Sequence, residues 1–292
     1  MSKKITRIIA CLVILIGIGL MCYPSFANFI DQQFQNKLIK NYDNDVNNLS
    51  EEEIENTLEL AKAYNASLPV QFPADPFTGK NVTDFTGTEF ENFSMVQDGE
   101  MLGYVEIPTI DVYLPMYYGT SEDVLQKGAG LVENTSLPVG GSGTHAVISA
   151  HTGLASKKFF TDLTEVEEGD IFFIHVLNMD LAYQIDQIKV VLPDDVEDLQ
   201  IVQDEDYVTL LTCTPFGIND HRLLVRGKRI DYDFAKDTVN QTVTLPKEDI
   251  YFWMLILGIF GIVIVVVHLH KKKKRNDADK ISDNLSGGTN EK

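Results

Sequence analysis

Hydrophobic spacing along the chain changes character several times. Residues 1–27 open on Lys3, Lys4 and Arg7 and continue into an apolar run from Ile8 to about Met21. Ser25-Phe26-Ala27 supplies the small residues that signal peptidase requires, so this segment reads as a signal peptide or a retained anchor, with both open. Residues 28–68 turn to a helical period, with Phe29, Ile30, Phe34, Leu38 and Ile39 three or four residues apart. Ser50 followed by Glu53 is a capping box that opens a second helix through Ile54, Leu58, Leu60 and Ala61. An N-terminal helical extension packed on a main domain is predicted. Residues 69–100 have no period and are rich in Pro, Gly, Thr and Asn, a length of loop that is usually functional or disordered. Inside it the Asp75-Pro76-Phe77 step is stiff, because proline fixes the geometry between an acid and an aromatic ring. Most Asp-Pro steps simply start turns.

From Met101 the texture becomes short strands. Residues 103–108, 112–119, 145–150, 170–176, 181–193, 206–213 and 222–230 are predicted strands, mostly separated by clusters of Gly, Pro, Asp and Asn. Many short strands with small turns imply a mostly β domain, a closed barrel or a sandwich, over residues 101–232. Residues 120–144 and 152–169 are expected to hold loops and short helical turns. A polar linker, 233–249, leads to a 20-residue apolar run, Ile250–Leu269. At helical rise such a run spans about 30 Å, the thickness of a bilayer core. The tail 270–292 begins with His270 and the basic run Lys271–Arg275. Basic residues flank both apolar runs on their outer sides, so both chain ends are expected in the cytoplasm and residues 28–249 outside the membrane.

Charge narrows the partners. Residues 28–270 carry 14 Lys and Arg against 39 Asp and Glu, a net charge of −25. Phosphates would be repelled, so a nucleic-acid partner is not expected. The three cysteines are Cys11, Cys22 and Cys213, and only the last lies outside the N-terminal apolar segment. The exported part therefore has one thiol and no internal disulfide. No metal site or cofactor is expected: the sequence shows no paired-ligand unit and no Gly-rich phosphate loop.

The stretch TLLTCTPFGINDHRLLVRG, residues 209–227, concentrates the candidate chemistry. It is a strand running into Cys213, a turn at Pro215, Gly217 and Asn219, and a second strand from Arg222. A thiolate at a strand end can attack a carbonyl while a nearby cation holds the charge that develops on oxygen. A buried, inert thiol is the plainer alternative, but the turn after Cys213 puts its sulfur at a rim. His268 and His270 belong to the membrane interface, His175 to an apolar strand and His221 to the turn. His145 and His151 remain, at the two ends of HAVISAH, and spacing favours His151 only modestly.

These residues resemble the sortases, and within them the class C, pilin-polymerising branch. The resemblance rests on LTCTPFGINDHRLLVRGKRI, on HAVISAHTGLASKKFFTDL (145–163), on TSLPVGG (135–141) and on the DPF step (75–77). It covers about residues 70–230 and the two anchors. It implies an eight-stranded sortase-type β-barrel with N-terminal helices and flanking transmembrane helices. It places the family's catalytic cysteine on Cys213, its histidine on His151 and its arginine on Arg222, and a lid on Asp75, Pro76 and Phe77. Asp75 would pair with Arg222 and Phe77 would cover the sulfur. The implied reaction cleaves an LPXTG-like sorting signal between Thr and Gly through a thioacyl enzyme and passes it to a pilin lysine amine. The implied partners are LPXTG-bearing pilins, the acceptor lysine of a neighbouring pilin and the lipid membrane. The family often has proline at the position of Ala155 and tyrosine at that of Phe216. Other readings are a sortase that anchors proteins to cell-wall peptidoglycan precursor, an inactive membrane-tethered scaffold barrel, and a papain-like protease. The last would require a helix starting at the cysteine.

Overall fold

The computed structural model describes residues 3–68, 73, 75–78, 85–154 and 156–242. Two helices come first, α1 (Lys3–Asn47) and α2 (Glu51–Ser67). α1 is one continuous helix that runs through Pro24 and carries both the apolar stretch 8–21 and the amphipathic stretch from Phe29. The boundary expected near residue 27 therefore falls inside a helix. The break between α1 and α2 is where the sequence places it. The Ser50 hydroxyl accepts from the Glu53 amide, and the Glu53 carboxylate accepts from the Ser50 amide at 2.8 Å, satisfying amides that a helix start leaves unpaired.

Eight strands follow: β1 (Met101–Ile107), β2 (Val112–Tyr118), β3 (Ala129–Leu131), β4 (Thr144–Ser149), β5 (Ile171–Val176), β6 (Met179–Val191), β7 (Asp206–Thr214) and β8 (His221–Ile230). They close into a barrel in the order β1-β2-β3-β4-β7-β8-β6-β5. The choice between sandwich and barrel is thus decided for the barrel, and closure leaves no unpaired edge. Seven strands match the predicted ones. β3 falls in the stretch expected to hold loops, because Ala129-Gly130-Leu131 is too short to show a period. It is held by parallel pairing to β2 and antiparallel pairing to β4.

The interior is set by size matching. Phe172 on β5 and Tyr183 on β6 stack at 5.5 Å across from Gly227 on β8. A Cβ at position 227 would lie 2.4 Å from the Phe172 ring, so the stack requires glycine there. Outside the barrel, Ala61 and Tyr64 of α2 join the main core with Phe90 and Phe93 of the loop before β1. The side-chain amide of Asn65 pairs both ways with the backbone of Leu137. The side chain of Tyr42 on α1 donates to Leu102 O at 2.6 Å and accepts from Leu177 N at 2.8 Å.

Residues 233–249 are expected to be a linker, yet Tyr232–Thr242 form a helix, α4, after the short α3 (Glu122–Leu125) between β2 and β3. Ala235 and Val239 pack on Ile171, Phe173 and Ala182 at the outer face of the sheet, a burial that outweighs the polar composition of the segment. Among the described residues no helix is long and apolar enough to cross a membrane. The apolar run 250–269 and the basic tail lie outside the described residues.

Candidate active site

Strand direction brings the site together. β4 and β7 are parallel, so their C-terminal ends reach the same mouth of the barrel. Ser149 pairs with Leu211, and the pairing runs on past the end of β4. Ala150 N donates to Leu211 O at 3.1 Å, and the Thr212 hydroxyl donates to Ala150 O at 2.7 Å. His151 therefore stands level with Cys213, one residue before the end of β7. β7 then turns back into β8, and Cys213 faces Arg222 as a cross-strand pair. Side chains of opposed residues share a face with Cβ atoms about 5 Å apart. Cys213 sits within a strand, which removes the helix-start geometry of a papain-like site.

His145 is excluded by the same register. It pairs with Tyr207, six residues before Cys213 on β7, which is about 20 Å along a strand. It is 1% exposed, and its ring is held by Gln200 O at 2.8 Å and the Thr209 hydroxyl at 2.7 Å. His175 lies on the outer surface between Asp180 and Glu106, stacked on Tyr104. His221 pairs with Asp220 beside the β7–β8 turn.

The DPF step lies on the site. Asp75 grips Arg222 with both carboxylate oxygens, receiving Nε at 2.7 Å and Nη2 at 2.8 Å. The remaining guanidinium nitrogen donates to Asn219 O and His221 O, so the side chain is fixed on every side. The Phe77 ring is 5.0 Å from the guanidinium carbon of Arg222 and 5.6 Å from the His151 ring. It thus fills the space between imidazole and guanidinium. Pro76 borders a mostly apolar crevice formed with Val191, Leu192, Val196 and Leu199.

The electrostatics are those of a closed site. Burial pushes the Cys213 thiol up; Arg222 draws it down, and Asp75 pulls it back up. Burial holds the His151 imidazole below its usual value, with Glu122 acting upward and Lys157 downward. Both shifts favour a neutral thiol beside a neutral imidazole. Removing the Asp75 carboxylate would leave the Arg222 charge facing the sulfur, which favours thiolate.

Barrel closure adds two neighbours to the site. Gly153, with φ of +78°, comes so close to Phe216 that a Cβ would sit 3.1 Å from its ring, so the His151 loop and the β7–β8 turn touch through a glycine. Glu122, from the connection between β2 and β3, lies 3.9 Å from His151 Nε2. Gly153 belongs to the HTG step quoted for the resemblance, whereas Glu122 is in no motif with Cys213 and only barrel closure brings it near. Among the described residues there is no group of three His, Cys, Asp or Glu side chains placed to hold a metal ion.

Residues 105–230 match the family model of the sortase domain. Sortase C of Streptococcus pneumoniae, whose structure was described for its catalysis and pilin substrate specificity, is 52% identical with a TM-score of 0.62. The match covers 67% of this chain and 97% of that one. The chain belongs to the sortase family, in class C. This sortase is similar as well to sortase C of Clostridium perfringens, solved with the C-terminal cell wall sorting motif, at 48% identity and a TM-score of 0.57. That alignment covers 67% of this chain and 98% of the other. Sortase D of Bacillus subtilis is 29% identical over 168 residues, 56% of this chain and 81% of the relative. As a class C sortase the protein is a transpeptidase, and strand register brings a thiol, an imidazole and a guanidinium to one mouth of its barrel.

Proposed function

We propose that this sortase joins pilin subunits, with Cys213 as nucleophile, His151 as proton carrier, Arg222 as the oxyanion or substrate-backbone donor, and Asp75-Pro76-Phe77 as a lid. One observation carries this reading: the two-pronged Asp75–Arg222 pair with Phe77 seated between Arg222 and His151. The segment occupies the place a peptide would need. A carboxylate on the guanidinium satisfies the donors that an oxyanion would otherwise use.

With the lid withdrawn, the Cys213 proton passes to His151 and the thiolate adds to the Thr carbonyl of an LPXTG-like signal. Arg222 holds the negative oxygen of the tetrahedral intermediate. The intermediate collapses as the C–N bond to Gly breaks and the imidazolium protonates the departing amine. A lysine amine of the next pilin then attacks the thioester, gives a proton to His151 and expels the thiolate, leaving an isopeptide bond. With Pro76 withdrawn, the apolar side chains of Val191, Leu192, Val196 and Leu199 would be free to receive the Leu and Pro of the signal. Likeness to sortases described with pilin specificity and with a sorting motif supports this substrate class. The apolar runs at 8–21 and 250–269, with basic residues on their outer sides, support anchoring in the cell membrane with the barrel on the outer face and the tail inside.

The test supplies an LPXTG peptide together with either a pilin lysine peptide or a peptidoglycan-type amine. Cys213→Ala is expected to remove both cleavage and ligation. Ligation to the lysine peptide supports pilin joining. Exclusive use of the peptidoglycan amine would assign the enzyme to surface-protein anchoring instead, and undiminished product from Cys213→Ala would overturn the nucleophile.

A further inference from the structure

Glu122 begins the short helix α3 (Glu122–Leu125), which crosses from β2 toward β3. Its Oε1 lies 3.9 Å from Nε2 of His151. That nitrogen is buried and makes no hydrogen bond among the described residues. A buried ring nitrogen without a partner is costly, and here a carboxylate stands about 1 Å beyond hydrogen-bond distance.

One contact reaches the carboxylate itself, and others fix the helix that carries it. Gln126 Nε2 donates to Glu122 Oε1 at 2.7 Å, one helical turn along. Upstream, the segment entering α3 is fixed by the buried Glu133, which accepts from the Thr120 hydroxyl at 2.9 Å and from its amide at 3.3 Å. Lys157, from the loop that carries His151, donates to Gln126 O, so the loop and α3 are joined.

We propose that Glu122 is a positioning residue for His151: it holds the proton on Nε2, leaves Nδ1 as the base, and stabilises the imidazolium formed when Cys213 is ionised. The proposal rests on the reading of His151 as proton carrier. In the neutral ring only one nitrogen bears hydrogen, and a carboxylate facing Nε2 selects the tautomer with hydrogen there. When the thiol S–H bond breaks, its proton goes to Nδ1 and the ring becomes a cation. Nε2–H then donates to Glu122, a charge-assisted bond for which a rotation of the exposed side chain closes the gap. The charged and titratable groups around the imidazole are Glu122 from α3, Lys157 from its own loop and Cys213 from β7. Asp75 and Arg222 lie beyond the Phe77 ring. Of these, Glu122 is the carboxylate that faces the imidazole, while Asp75 is committed to Arg222.

The test uses the full chain carrying Asp75→Ala, so that the lid does not mask the site. In that background Glu122→Gln keeps the shape and the contact to Gln126 but removes the charge. The ring nitrogens of His151 are titrated by NMR, and kcat and KM for an LPXTG peptide are followed against pH. The imidazole pKa is expected to fall by about one unit, a tenfold change in proton affinity. The acid limb of kcat/KM, set by protonation of the imidazole base, should move to lower pH by the same amount. kcat should fall about tenfold with KM unchanged, and Glu122→Asp should recover part of the shift. Coincident titrations in Glu122→Gln and its parent would overturn the proposal, and so would a lowered melting temperature with no change in the titration. Full ligation by His151→Ala would instead sink the underlying assignment of the histidine.

Discussion

At Arg222 one guanidinium meets two competing claims. Three of its nitrogens are already used, two by Asp75 and one by the backbone of the β7–β8 turn. The same group lowers the proton affinity of the Cys213 thiol, while Asp75 raises it. Replacing Asp75 with Ala or Asn should therefore increase the thiolate fraction as well as expose the sulfur. Alkylation of Cys213 near neutral pH is expected to be about tenfold faster or more in these variants, since one unit of thiol pKa is a tenfold change in thiolate. Phe77→Ala should raise the rate through access alone and leave the pH midpoint of alkylation nearly unmoved. Equal rates in all three variants and the parent would mean that the DPF step does not control the thiol. Cys213 and Arg222 were legible because a hairpin converts nine residues of spacing into a facing pair. Glu122 was not, being one acid among many in an acidic chain.

At the scale of elements, the N-terminal helices are part of the barrel's support. Tyr42 joins α1 to β1 through Leu102 and to the β5–β6 turn through Leu177. Tyr42→Phe keeps the ring and removes both hydrogen bonds, leaving an amide and a carbonyl near the barrel surface unpaired. A loss of about 1–3 kcal/mol in unfolding free energy is expected by urea denaturation, the usual cost of a stranded buried group. A loss below a few tenths would show that water replaces the hydroxyl and that α1 contributes little here. The helical period and the Ser50–Glu53 box made these helices readable. α4 was not readable, because its polar sequence is helical only where Ala235 and Val239 meet the outer face of β5 and β6.

For the molecule as a whole, His145 links the core to pH. Its ring is buried between β4 and β7, and burial lowers its pKa to about 4 from an ordinary 6.5. The Gln200 carbonyl can only accept, so Nδ1 carries the hydrogen and Nε2 accepts from Thr209 in the neutral ring. As pH falls through 6.5 the unfolded chain binds a proton at this position and the native one does not, until about pH 4. Stability from this group is thus complete above 6.5 and declines toward 4, at about 1.4 kcal/mol per pH unit. Between pH 7 and 5 the wild type is expected to lose about 2 kcal/mol more than His145→Gln in urea titrations. Parallel curves would show that the histidine is not the responsible group.

Local periodicity in the sequence was sufficient to determine seven strands, two N-terminal helices and their cap, because each depends on neighbours within a few residues. The pairing of Cys213 with Arg222 belongs to the same class, since one short turn joins them. Barrel closure decided the rest. The parallel register of β4 on β7 raised His151 to the level of the sulfur and left His145 about 20 Å below it, a distinction invisible in a stretch where both flank the same strand. The seat of Asp75 on Arg222, the touch of Phe216 on Gly153 and the approach of Glu122 to His151 are contacts between segments far apart in the chain. They depend on where the chain comes back to itself, and no local pattern of residues encodes that return.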